Sequence, residues 1–84
     1  MTERLHIAFT PAEGALLRVL GTVERRGYAV RAIDMAERAD GGAMTIELEP
    51  RDSSRQVEIV ARQLDRLVDV RSVSILQQPQ GSPR

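Results

Sequence analysis

His6 is the only histidine of the 84-residue chain, and cysteine is absent. Serine chemistry would need Ser53 or Ser54 beside an imidazole. Both serines instead precede an apolar-periodic segment, where a hydroxyl caps a helix. Ser53 with Gln56 three residues later has the form of a capping box. His6 alternates with Leu5 and Ile7, which points it at solvent or at a subunit contact. Asp65 and Asp69 stand four apart, as paired carboxylates can. With Arg62 and Arg66 among them, they read as a solvated charged surface. Glu47 and Glu49 share one phase of a strand, but no third ligand for a metal accompanies them. No set of acid, base and nucleophile emerges, and no catalytic residue is assigned.

One stretch has the makings of a binding loop. Pro11-Ala12-Glu13-Gly14-Ala15-Leu16 joins an alternating segment to a helical one. Unpaired N–H groups at a helix start, with a glycine that lets a ligand approach the backbone, suit a carboxylate. A glycine there equally permits close packing, so these residues alone leave both readings open.

The elements that must position this loop follow from the hydrophobic pattern. Leu5 to Phe9 alternates as a strand does. Thr10 is the expected N-cap and Pro11 the first helical turn, with Glu13 near the positive helix end. Leu16, Val19, Leu20 and Val23 then mark one helix face, and Arg25-Arg26-Gly27 closes it. In Tyr28 to Met35 the alternation slips: Tyr28 and Val30 share one phase, Ile33 and Met35 the other, which predicts a β-bulge. Ala39-Asp40-Gly41-Gly42 is the expected turn. Met44, Ile46 and Leu48 form a third strand that Pro50 stops.

Val57, Val60, Ala61, Leu64 and Leu67 give a second amphipathic helix ending near Leu67 or Val68. Val70, Val73 and Ile75 mark a last strand. The tail Gln77 to Arg84 is polar and rich in Pro and Gly, and disorder is expected over 78–84. The predicted fold class is α+β, in the order β-α-β-β-α-β: a ferredoxin-like domain over 4–77. It has a four-stranded antiparallel sheet with two helices on one face. The open face would carry His6, Ala8, Thr45, Glu47, Ser72 and Ser74.

Composition narrows the function classes. Twelve arginines balance twelve Asp plus Glu, with no lysine, so neither nucleic acid nor an anionic membrane is a natural partner. Phe9 and Tyr28 are the only aromatics, too few for base stacking. No apolar run approaches a membrane span and the first residues do not resemble a signal peptide, so a cytoplasmic domain is expected. So short a chain gains from pairing with another.

Two groups of residues resemble a known family. Gly14-Ala15-Leu16-Leu17-Arg18-Val19 followed by Arg26-Gly27-Tyr28 resembles the start of an ACT domain, a small-molecule regulatory module of this element order. Arg26 to Val30, Ile33 to Ala36, Met44 to Leu48 and Gln63-Leu64-Asp65-Arg66-Leu67-Val68-Asp69-Val70 resemble, more narrowly, the small regulatory subunits of acetolactate synthase. The length resembles the short isozyme II type.

That resemblance implies a non-catalytic chain, holding no cofactor, that binds and activates a large subunit in valine, leucine and isoleucine biosynthesis. Thiamine diphosphate, Mg²⁺ and FAD belong to the large subunit. It also implies a homodimer through the ACT domain and an effector loop at Ala12, Glu13, Gly14, Ala15 and Leu16. Valine-sensing relatives place an Asn before the Gly. Here the loop has none, Glu13 would repel a carboxylate and Pro11 removes a donor, so a branched-chain amino acid would be held weakly. The rival reading is a free-standing ACT dimer that senses an amino acid in this loop.

Overall fold

The computed structural model describes residues 2–52 and 56–76. Six elements follow in order: β1 (Glu3–Phe9), α1 (Ala15–Arg25), β2 (Tyr28–Arg38), β3 (Gly41–Pro50), α2 (Val57–Asp65) and β4 (Val70–Leu76). The strands form one sheet in the order β2-β3-β1-β4, antiparallel at every pairing. This is the predicted ferredoxin-like arrangement, and it places β2 and β4 at the two edges.

Alternation in the sequence becomes two unlike faces. Leu5, Ile7 and Phe9 of β1 join Met44, Ile46 and Leu48 of β3 beneath the helices, all at 2% exposure or less. Ala15, Val19 and Val23 of α1 and Val57, Val60 and Leu64 of α2 complete this core. Side chains directly opposite in an antiparallel pair share a face. The register therefore lays Ser74, His6, Thr45 and Asp34 in one row across the open face, and Ser72, Ala8, Ala43 and Ala36 in the next.

The predicted bulge is present. Register shifts between Val30 and Ala32, so Arg31 is the extra residue. Val30 opposes Leu48, and beyond the bulge Ile33 and Met35 oppose Ile46 and Met44, all on the helix side. The helices stop short of this outer half of β2: Ile33 is 40% and Met35 41% exposed.

Several local expectations are corrected. Thr10 and Pro11 do not open α1, which begins at Ala15 with Gly14 at the cap in a left-handed conformation (φ 81°). The reason is that Thr10 is already engaged: its N–H donates to the Asp69 carbonyl at 2.7 Å and its hydroxyl accepts from Arg71 Nε at 3.2 Å. Glu13 consequently precedes the helix and lies outside its first turn. The hairpin turn is also shorter than expected. Only Ala39 and Asp40 form it, while Gly41 and Gly42 pair with Arg38 and Glu37 inside the ladder. Finally, α2 ends at Asp65, and Leu67 reaches the core from the following turn. The end of α1 is as expected, with Gly27 at φ 89° donating its N–H to Glu24. Gln56 stands at the N-cap of α2 in extended conformation (φ −126°, ψ 122°) and not three residues inside the helix, so the expected capping box with Ser53 does not form; Ser53 itself and the tail beyond Leu76 lie outside the described residues.

Candidate functional site

The connection from β1 to α1 is pinned at both ends. Ala15 N–H donates to the Ala12 carbonyl at 3.0 Å and Arg18 N–H to the Gly14 carbonyl at 3.0 Å. Among the described residues the N–H groups of Leu16 and Leu17 have no backbone acceptor. This is the helix-start donor pair that a carboxylate can use. Gly14 is required here on two counts. Its φ of 81° disfavours an L side chain, and a Cβ would meet Arg18 Nη1 at 2.9 Å.

Arg18 and Asp69 hold the loop in place. Arg18 Nε donates to Asp69 Oδ2 at 2.7 Å, its Nη2 donates to the same oxygen, and Nη2 reaches the Glu13 carbonyl at 3.1 Å. The Asp69 carboxylate is 13% exposed, so this pair is largely withdrawn from water. Asp69 is therefore not part of a solvated run with Asp65, as its spacing suggested. It ties the α2–β4 turn to both ends of the loop. A charge-assisted pair of this kind is worth about 1.5–3 kcal/mol, less where one partner is wet. Arg18 is 45% exposed, so Asp69→Ala is expected to cost on the order of 1–2 kcal/mol in urea unfolding. A cost near zero would show that the loop is held by its backbone alone.

Of the predicted loop residues, Ala12 and Glu13 are exposed, Gly14 and Leu16 half-buried, and Ala15 buried against the core. Leu16 contributes through its N–H, since its side chain packs against the core. On the helix flank beside the loop lies a cavity of about 450 Å³, lined by Gly14, Leu17, Arg18, Thr22, Arg25 and Leu67.

The residues considered for catalysis are not brought together. His6 is on the open face, where its Nδ1 lies 3.4 Å from Thr45 Oγ1. Glu49 accepts from Arg31 Nε at 2.6 Å, and Glu47 stands 3.9 Å from Arg4 Nε. Among the described residues no three His, Asp or Glu side chains converge on a metal-sized site. No described helix is long and apolar enough to cross a membrane. The helix-start N–H pair is of the kind an anion can use; among the described residues no proton-transfer or nucleophilic set is assembled.

Comparison with known proteins gives consistent results. The family model of the ACT domain matches residues 11–73. The isozyme 2 small subunit of acetolactate synthase from Escherichia coli K12 is 42% identical over 62 residues, covering 74% of this chain and 70% of that one. A small subunit of acetolactate synthase from Buchnera aphidicola of Schizaphis graminum is 29% identical over 70 residues. There the chain spans only 44% of the relative's length. Among solved structures, the ACT domain of a GTP pyrophosphokinase from Chlorobium tepidum superposes with a TM-score of 0.72 at 14% identity, over 90% of this chain and 97% of that one. The C-terminal domain of MgtC from Mycobacterium tuberculosis gives 0.71 at 15% identity, over 99% and 93%. At such identities these two establish the fold alone.

Proposed function

The chain belongs to the ACT-domain family and, within it, to the small subunits of acetolactate synthase, and from that premise we propose that it is a non-catalytic accessory subunit. It would bind the large, catalytic subunit of acetolactate synthase and raise its activity in branched-chain amino acid biosynthesis, in the cytoplasm. The observation that carries the reading is the 42% identity to an isozyme 2 small subunit across 70% of its length. Thiamine diphosphate, Mg²⁺ and FAD would reside on the large subunit.

Activation requires that the chain bind an active conformation of its partner better than the alternatives. A homodimer is part of the reading. The outer half of β2 is an unpaired edge whose Ile33 and Met35 are uncovered, and such edges invite a second strand. The effector site would be the loop Ala12–Leu16, using the N–H groups of Leu16 and Leu17. With Glu13 beside them and no loop Asn, valine, leucine or isoleucine would bind weakly.

Acetolactate formation by the large subunit of the same organism, assayed over a range of added chain, tests the reading. Saturable activation is expected, and no effect from a folded sample would sink it. Calorimetry with valine, leucine and isoleucine then addresses the alternative, a free-standing ACT dimer. Micromolar binding in the absence of activation would favour that sensor.

A further inference from the structure

The open face of the sheet carries a second concavity, which shares no lining residue with the one on the effector loop's helix flank. It has a volume of about 390 Å³ and lies at the β2–β3 hairpin end. Ala36, Ala43 and the backbone of Gly41 and Gly42 line it together with Arg38, Arg71, His6 and Asp40. The lining charges come to two arginines against one aspartate, a net +1 apart from His6.

Three arginines of this fold pair with carboxylates. Arg4 stands beside Glu47, Arg31 binds Glu49 and Arg18 binds Asp69. Among the described residues Arg38 and Arg71 have no carboxylate partner. Arg71 is nevertheless fixed. Its Nε donates to Thr10 Oγ1 at 3.2 Å and its Nη1 to the Asp40 carbonyl at 3.1 Å. It lies so close over Gly41 that a Cβ there would meet Nη1 at 2.9 Å. Gly41 also has φ +145°, a conformation that itself selects glycine. A guanidinium seated in this way has lost its rotamer freedom on folding, so an anion that binds it incurs little further ordering. Its Nη2 remains available, and the planar fork suits a carboxylate or a phosphate. Small side chains along Ala36 and Ala43 leave room for such a group to reach both arginines.

We propose that this cavity is a binding site for a small oxyanion ligand, a molecule carrying a phosphate or two carboxylates, held between Arg38 and Arg71. The site is independent of the accessory role and stands or falls without it. Succinate and inorganic phosphate, titrated into isotope-labelled chain at constant ionic strength and followed by NMR, are the probes. The expected result is saturable shifts confined to the Arg38 and Arg71 side-chain N–H groups and the Gly41–Ala43 amides, with an apparent Kd at or below about 1 mM. Arg38→Ala and Arg71→Ala should each weaken binding by about tenfold or more. Arg38 is exposed, so its variant keeps the fold and decides the matter even if Arg71→Ala perturbs the hairpin. Shifts that never saturate, that match a sodium chloride control, or that survive Arg38→Ala undiminished would overturn the proposal.

Discussion

Leu64→Ala is expected to lower the free energy of unfolding by about 2–5 kcal/mol, the range for deleting a fully buried leucine side chain. Leu64 is 0% exposed on α2 and packs in the cluster that includes Val57, Val60 and Val70. Domains of this kind have on the order of 5–15 kcal/mol in total, so the variant would stand near its unfolding threshold at 37 °C. The high cost follows from geometry. With α2 packed on β4 and against α1, the hole has no easy way to collapse, so the transfer term and the cavity term are both lost. Leu20 is the informative control. It is only partly buried, so Leu20→Ala should cost clearly less. Urea unfolding at matched m-value measures both. Equal costs would contradict the packing described.

Gly42→Val is expected to destabilise the sheet strongly. Gly42 opposes Phe9 across the β1–β3 ladder, and the phenyl ring occupies the space its side chain would take. A Cβ would meet Phe9 Cζ at 2.6 Å and Cε1 at 2.8 Å. The ring is 2% exposed, so it cannot swing into solvent. Overpacking of this kind costs about 1–3 kcal/mol and at times more; alanine should incur the lower part and valine the upper. The conflict is steric, since Gly42 does not have a positive φ. Shrinking the ring should therefore relieve it. Gly42→Ala combined with Phe9→Leu is expected to be more stable than the sum of the two single losses predicts, a coupling that a double-mutant cycle reads directly. Additive losses would show that the ring is not the obstacle.

The parts of this fold that were legible in the sequence are those set by local periodicity. Alternation in β1 and β3, the helical spacing of Leu16 to Val23 and the phase slip in β2 all have their causes within a few residues. The start of α1 was misread for the opposite reason. Thr10-Pro11 carries every local sign of a helix opening, but Asp69 and Arg71, distant in the chain, claim the threonine's N–H and hydroxyl. Arg18 and Asp69 are 51 residues apart, so no spacing rule could join them. Each does lie in a stretch that carried the family resemblance, Gly14 to Val19 and Gln63 to Val70. The cavity at the hairpin was illegible as well, because Gly41 and Gly42 look like turn residues until Arg71 and Phe9 are seen resting on them.

Arg31 gives the β2 edge a property of a different kind. Two residues, Arg31 and Ala32, stand where one is needed opposite Glu47, while Val30 keeps Leu48 and Ile33 keeps Ile46. A chain shorter by this one residue would retain every other cross-strand partner and every side chain's face, because regular alternation would then run unbroken from Val30 to Met35. The sheet thus tolerates a change of chain length at this point without loss of register. The bulge works as a slack link: a deletion of one residue can be taken up in the edge strand there and leave the core unaware of it.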